Sequence, residues 1–400
     1  MTTVAEAWAL VAGHMPRRPV EHVPIGAAVG RILAAAVEAE RDQPPFDRVT
    51  MDGIAIASEA WARGLRSFPI AAVQAAGQPA SRRRSPDACV RVMTGAVRPD
   101  GTDAVIPIER VRIADGVALV DDETFVEPGR FIHAQGSDRH RGDVVLEPGI
   151  RIGPAEIAVL ASAGRAEVQT SKPARIAVIS TGDELVAVDA PHIEPYQIRS
   201  SNDLAIAASL ERASLAECSR TTLPDDPKRI LESVSELHDA NDMLILSGGV
   251  SMGEFDFVPA VLERLEARVV FHRIEQKPGK PMWFGLSGQG KPIFALPGNP
   301  VSTLLCMTRY VVPALRLASG VPAPPAELAV LSADVDAPKA LTYFVPVVLG
   351  WSEDGVELAL PKPTNTSGDF SSLAATDGFI ELSPGRAVHE RGSTGRVWRW

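Results

Sequence analysis

Near the N-terminus the apolar residues Val4, Trp8 and Val11 recur at i, i+4 and i+7, so an amphipathic helix is predicted to open the chain. A second helical patch is predicted over 26–36. The pattern then changes character. Gln43-Pro44-Pro45-Phe46-Asp47-Arg48-Val49-Thr50-Met51-Asp52-Gly53-Ile54-Ala55-Ile56 carries two prolines that force an extended backbone, and Asp52-Gly53 marks a tight turn ahead of an apolar strand. Over 68–126, runs such as Val90-Arg91-Val92-Met93 and Ala104-Val105-Ile106-Pro107 alternate with Gly, Pro and Asp turns, which predicts a β-rich module. A charged turn segment, 136–143, precedes a helix over 154–163 that Pro154 opens.

Lys172-Pro173 reads as a linker, and beyond it the rhythm becomes strand, loop, helix. Ile176-Ala177-Val178-Ile179 is a strand. Asn202 is placed to cap a helix bearing Leu204, Ile206, Ala207 and Leu210, and Asp225 or Asp226 to cap one bearing Ile230, Val234 and Leu237. Met243-Leu244-Ile245-Leu246 is a buried strand. Asp256 can cap the helix of Phe257, Val258, Val261, Leu262 and Leu265, with Pro259 in its tolerated first turn. Ile293-Phe294-Ala295-Leu296 leads into a long helix from Val301 that Pro313 bends. Such alternation predicts a parallel sheet with crossover helices over about 174–320. A proline-rich linker, Val321-Pro322-Ala323-Pro324-Pro325, then hands over to a small all-β domain.

Composition narrows the function classes. The 400 residues are 45% hydrophobic, ample for several cores and for roughly two to four domains. A formal net charge of -10 without a sustained basic face argues against nucleic acid or an anionic membrane as partner. Cys89, Cys218 and Cys306 are far apart and form no CxxC pair, so buried reduced thiols are expected rather than a disulfide framework or a zinc site. No signal-type apolar core opens the chain, and no uninterrupted apolar run reaches the roughly 18 residues of a membrane span. A cytoplasmic location is the expectation that follows.

Three glycine-punctuated loops carry the candidate chemistry. Ser247-Gly248-Gly249-Val250-Ser251-Met252-Gly253-Glu254 frees backbone N–H groups at a strand end, as an anion site requires. Lys277-Pro278-Gly279-Lys280-Pro281 fixes two ammonium groups on a stiff turn, where an anion between them relieves their repulsion. Pro297-Gly298-Asn299-Pro300 opens the long helix. All three are expected at the carboxyl ends of the sheet strands, where open α/β sheets bind ligands. Neither GxxxxGK[ST] nor a first-strand GxGxxG is present, which excludes a Walker nucleotidase and a dinucleotide site. Glu184, Asp225, Asp226, Glu254 and Asp256 gather beside these loops, where each can be a cap or turn acid or a ligand of Mg²⁺. Asp52 and Asp138 have no evident capping role, and Thr94-Gly95 is either a turn or a hydroxyl donor to an oxyanion. Arg82-Arg83-Arg84 reads as solvated surface. The residues themselves point to a phosphorylated small molecule bound with Mg²⁺.

The ordered motifs resemble those of the MoeA molybdopterin molybdenumtransferases, to which the C-terminal domain of gephyrin is similar. The resemblance rests on the segment from Phe46 to Ala55, on Met93-Thr94-Gly95, on Thr181-Gly182-Asp183-Glu184-Leu185, on the three glycine loops and on a serine-rich stretch beginning at Ser367. It implies an L-shaped, multidomain α/β plus β subunit that forms a homodimer. Its expected parts are an N-terminal helical-β domain (1–45 and 136–172), a β-rich domain bearing the Met51-Asp52-Gly53 segment (46–135), a central MogA-like α/β molybdopterin-binding domain (173–320) and a small C-terminal β-barrel-like domain (326–400).

The activity so implied is insertion of molybdate into adenylylated molybdopterin with release of AMP, assisted by Mg²⁺ or, as second candidate, Zn²⁺. Catalytic positions carried over are Asp52, Thr94, Asp138, Glu184, Asp225, Asp256, Lys277 and Lys280, with Glu184, Asp225 and Asp256 as metal ligands. The molybdopterin site would take Ser247, Gly248, Gly249, Ser251, Gly253, Arg273, Pro297, Gly298, Asn299 and Ser367. Partners implied are the molybdopterin adenylyltransferase and apo-molybdoenzymes, in transient contact. Val49 stands where the family has Ser, Ile54 where it has Tyr, and Leu341 at an Arg position. These departures leave open a divergent, non-catalytic molybdopterin-binding or scaffold protein of the same fold.

Overall fold

The computed structural model describes residues 1–83, 85–248 and 258–400. The chain forms two compact units, one of Met1–Ala35, Pro148–Gly153 and Glu167–Trp400, the other of Ala36–Glu147 and Pro154–Ala166. In the larger unit a six-stranded sheet runs in the order Ala216–Leu223, Ala174–Thr181, Met243–Ser247, Pro292–Leu296, Trp283–Leu286, Arg268–His272. The first four are mutually parallel, and Trp283–Leu286 runs antiparallel to both its neighbours.

The central strands read as unbroken apolar runs because both faces are covered, and successive residues feed opposite cores. Ile176, Val178, Ile245 and Phe294 pack with Ile206, Leu210, Val301 and Leu305, while Ala177, Ile179, Leu244, Leu246, Ile293 and Ala295 pack with Ile230, Val234 and Val261. The N-terminal helix, Val4–His14, joins the first of these cores through Val4, Ala7 and Val11. Its start is locked by a capping box between Thr3 and Glu6.

Several local expectations need correction. Residues 26–36 do not form a helix: a single 3-10 turn, Ile25–Ala27, gives way to Gly30 at φ 82°. Ile32 and Leu33 then form isolated bridges with Arg151 and Thr170, and both side chains are buried in that extended form. The Asn202–Ala213 helix takes Ser201, not Asn202, as its N-cap, and Leu204 faces solvent. Of the two candidate acids, Asp226 caps Pro227–Ala240, accepting from Lys228 N and Arg229 N. Gly53 lies inside the Gly53–Ile56 strand rather than in a turn, paired with Val92 and Pro107, and a Cβ there would overlap the Ile106 carbonyl. Cys218 is exposed, on the outermost strand of the sheet, while Cys89 and Cys306 are buried.

The long helix from Pro300 is interrupted rather than simply bent. A π segment, Met307–Val311, lies between Pro300–Cys306 and Val312–Ala318, just ahead of the missing N–H of Pro313. Among the described residues, this 19-residue stretch is long and apolar enough to cross a membrane, yet it is 72% buried inside the protein and serves as a core helix. The C-terminal strands Thr342–Trp351, Glu357–Pro361, Leu328–Leu331, Thr394–Arg399 and Gly378–Leu382 pair in that order, and the last returns to the first. They close a small barrel around Leu331, Val345, Val347, Ile380 and Val397, which leaves these five strands no free edge in the ring.

The smaller unit is built on a second six-stranded sheet, ordered Ala104–Pro107, Gly53–Ile56, Cys89–Val92, Ser67–Gln74, Val117–Val120, Val111–Ala114. Its core is Ile54, Ile56, Phe68, Cys89, Ala104, Ile106 and Ala118. Ile54 and Val49, the two positions that lack the family hydroxyls, are wholly buried among apolar neighbours.

Candidate active site

Strand order decides which loops meet. The four parallel strands end at Leu223, Thr181, Ser247 and Leu296, so their carboxyl ends present, in spatial order, Asp225, Asp183 and Glu184, Ser247 and Gly248, and Gly298 and Asn299. The lysine turn follows the end of Arg268–His272 and precedes the antiparallel strand Trp283–Leu286, which puts it on the same edge. Carboxylates therefore lie at one end of the row and ammonium groups at the other, with glycine loops between. Three strand spacings, roughly 14 Å, separate the Glu184 strand from the strand that the lysine turn leads into.

At the acidic end the backbone is folded around the side chains. Gly182 has φ 145°, a conformation that strains any residue with a side chain, and a Cβ on it would sit 2.7 Å from the Glu184 carboxyl carbon and push that carboxylate aside. Asp183 N donates to Asp225 Oδ2 (3.4 Å) and Asp225 N to Asp183 Oδ1 (3.1 Å), a reciprocal clasp between adjacent strand ends. Asp183 escaped the sequence reading, although it lies inside the Thr181-Gly182-Asp183-Glu184 motif. Among the described residues no group of three or more His, Cys, Asp or Glu side chains is arranged to hold a metal ion. Asp256, the third expected ligand, lies outside the described residues. Glu184 and Asp225 offer only hard oxygen donors, which suit Mg²⁺ rather than Zn²⁺.

The middle of the row is tied together by one asparagine. Asn202 Nδ2 donates to Ser247 Oγ (3.1 Å) and to the Gly298 carbonyl (2.7 Å), so a residue read as a helix cap instead links two of the three loops. Gly248, at φ 95°, lets the Ser247 loop pass close to the Thr181 carbonyl and to Gly298. Asn299 Nδ2 donates to Ser367 Oγ (2.8 Å) and Val301 N to the Ser367 carbonyl (3.2 Å), which brings the serine-rich stretch onto the third loop. Gly249, Ser251 and Gly253 fall outside the described residues.

At the basic end, Gln276–Lys277 is a short strand paired in parallel with Thr342–Tyr343 of the barrel, so the lysine turn begins as a strand rather than as loop throughout. Lys277 and Lys280 are exposed, and the Lys277 ammonium lies 5.6 Å from the centroid of the Tyr343 ring. Arg273 is exposed with φ 71°, its backbone N–H on the Met282 carbonyl and its carbonyl accepting from Thr2 N. Leu341, just ahead of Thr342, is half-buried.

In the smaller unit, Asp52 and Thr94 form a pair. Asp52 Oδ1 accepts from both Thr94 N and Thr94 Oγ1, each at 2.7 Å, so the aspartate holds the Thr94-Gly95 turn. The threonine hydroxyl, and then its amide, hold the Asp52 carboxyl below its usual range. Asp138 Oδ1 lies 3.1 Å from His133 Nε2, and His133 Nδ1 lies 3.2 Å from Arg48 Nη2. His133 had no sequence signal beyond its place five residues before Asp138.

Comparison with known proteins places the chain in a family. Family models described as the MoeA N-terminal region (domain I and II), a probable molybdopterin binding domain, and the MoeA C-terminal region (domain IV) match residues 2–164, 177–317 and 329–400. A molybdopterin molybdenumtransferase of Synechocystis is 37% identical over the full length of both chains. One from Bacillus subtilis is 31% identical over 98% of this chain and 93% of its own. Among solved structures, a molybdopterin biosynthesis MoeA protein of Pyrococcus horikoshii superimposes with a TM-score of 0.85, at 29% identity, covering 100% of this chain and 99% of its own.

Proposed function

Because the chain belongs to the MoeA family and acts in molybdenum cofactor biosynthesis as a molybdopterin molybdenumtransferase, we propose that it inserts molybdate into adenylylated molybdopterin and releases AMP at the sheet edge just described. The observation that carries this reading is the charge order along that edge, carboxylates at one end and lysines at the other with glycine loops between.

Molybdate is a dianion and the adenylate linkage a second anionic centre, so cations must collect both. Lys277, Lys280 and Arg273 do this, with the amides of the Ser247 and Pro297 loops, where Gly248 and Gly298 permit close backbone approach. Ser367 and Asn299 shape the same loop through their hydrogen bond. Glu184 and Asp225, completed by Asp256, would hold a Mg²⁺, whose charge offsets that developing on the departing AMP phosphate. The clasped amides of Asp183 and Asp225 keep both carboxylates turned to the edge, where the free carboxylate oxygens can accept a hydrogen bond from the water or protonated molybdate oxygen that attacks the adenylate phosphorus as AMP departs. Asp52, Thr94 and Asp138 act in the same reaction, with Thr94 keeping Asp52 ionised. We further read the enzyme as a cytoplasmic homodimer that meets the molybdopterin adenylyltransferase and apo-molybdoenzymes transiently.

The test is direct. Purified protein is incubated with adenylylated molybdopterin, molybdate and Mg²⁺, and AMP release and reconstitution of an apo-molybdoenzyme are measured. Turnover dependent on molybdate and Mg²⁺ is expected. Tight molybdopterin binding with no AMP release under any divalent ion would replace the reading by that of a scaffold.

A further inference from the structure

Beneath the lysine turn lies a buried polar chain that the reaction itself does not use. Residues 276 and 277 are neighbours in a strand, so their side chains point to opposite sides. Gln276 is fully buried and Lys277 exposed. The Gln276 amide fills the space under Gly279: a Cβ on that glycine, whose φ is 86°, would lie 2.6 Å from Gln276 Nε2 and 3.0 Å from Cys306 Sγ.

Hydrogen bonds run through this pocket in one direction. Tyr310 Oη donates to Gln276 Oε1 at 2.6 Å, Gln276 Nε2 donates to Cys306 Sγ at 3.9 Å, and the Cys306 thiol donates to the Gly279 carbonyl at 4.0 Å. Tyr310 and Cys306 are both fully buried in the main apolar core, where a lone hydroxyl or amide carries a desolvation penalty and phenylalanine or methionine would fill the space without it. Burial raises both the Cys306 thiol and the Tyr310 hydroxyl well above their usual values, so each stays protonated as a donor. Tyr310 stands on the π segment Met307–Val311, and such segments shift side chains out of helical register. The chain thus starts on an irregular turn of the core helix and ends on the backbone between the two lysines.

We propose that Tyr310 and Gln276 are positioning residues that hold the Lys277-Pro278-Gly279-Lys280 turn with both ammonium groups on the open side, and so set the affinity for the oxoanion substrate. This rests on the reading of that turn as the molybdate and phosphate clamp. Gln276 anchors the strand inward and thereby sends Lys277 outward, and its amide braces the turn at Gly279. Tyr310 fixes the amide's orientation, because its hydroxyl needs the carbonyl end and leaves the NH₂ end for the sulfur.

The experiment uses the full-length protein as wild type, Tyr310→Phe, Gln276→Met and the double variant. AMP release is followed against molybdate concentration, molybdate binding is measured by calorimetry, and Tm is recorded for each. Either single change should raise the molybdate KM about five- to tenfold with kcat held within about twofold, and the double variant should go no further than Gln276→Met alone, since both changes break the same Tyr310–Gln276 bond. A lowered Tm with an unaltered molybdate KM would show plain core packing and overturn the inference. Additive effects would overturn it too. Gln276→Met, close to glutamine in volume, decides the matter alone should Tyr310→Phe fail to fold. A wild type that neither releases AMP nor binds molybdate would sink the functional reading itself and the inference with it, whereas active wild type with indifferent variants sinks the inference alone.

Discussion

The two ends of the sheet edge are held in opposite ways. The lysine turn is braced from below by fully buried Gln276 and Tyr310 and stitched to the barrel at Thr342–Tyr343. Among the described residues the acidic end has no such foundation: Asp183 and Asp225 are exposed and hold each other by amide-to-carboxylate bonds, and Glu184 occupies the space that Gly182 leaves open. The difference follows from what each must do. Two like charges on one turn repel, so the backbone carrying them needs outside support. On the proposed function, carboxylates that share a Mg²⁺ would gain their order when it binds, and their backbone clasp need only keep them close.

That contrast can be broken from either end. The largest effect is expected at the braced end, where Lys277→Ala should cut AMP release by roughly 10²–10³-fold, the range for removing one group that stabilises developing charge. A rate near wild type would remove Lys277 from the site. Gly182→Ala comes next: with a Cβ at φ 145° crowding Glu184, turnover should drop about tenfold or more while the far end still binds molybdate. If molybdate affinity fell equally, the two ends would not be separately built. Asp225→Asn keeps the shape but halves the clasp's charge, and should raise the Mg²⁺ concentration for half-maximal rate about tenfold; an unchanged Mg²⁺ response would take Asp225 off the metal.

Smaller changes sharpen the picture. Asn202→Ala removes the ties to Ser247 and Gly298, and the KM for adenylylated molybdopterin should rise about fivefold, as expected for the loss of a neutral hydrogen bond or two. The smallest effect is one of pH. Thr94 holds Asp52 below the usual carboxylate range, so Thr94→Val should let that group rise toward its ordinary value. Ionised Asp52 is then lost earlier as pH falls, and the acid limb of kcat/KM should move to higher pH. No movement of that limb would mean that Asp52 does not titrate in the reaction.

Much of this was legible in the residues. Continuous apolar runs such as Met243-Leu244-Ile245-Leu246 report a strand covered on both faces wherever they occur, and glycine and proline spacing locates loops, because backbone sterics act over a few residues. The ordered motifs likewise named the family that the comparisons then matched. Local signals misled where a distant partner decided the outcome. The 26–36 segment favours helix by composition but is drawn into bridges with Arg151 and Thr170, and Asn202 has the chemistry of a cap yet bonds to loops 45 and 96 residues away.

By itself, then, the chain determined its strands, its turns, its charged loops and the kind of anion chemistry they serve, since each depends on neighbours a few positions apart. Only the tertiary structure decided their order along one edge, the clasp of Asp183 with Asp225, and the buried path from Tyr310 through Gln276 to Gly279. Those depend on which strands pair and on which polar atoms find partners once water is excluded, and no pattern of a few residues records that choice.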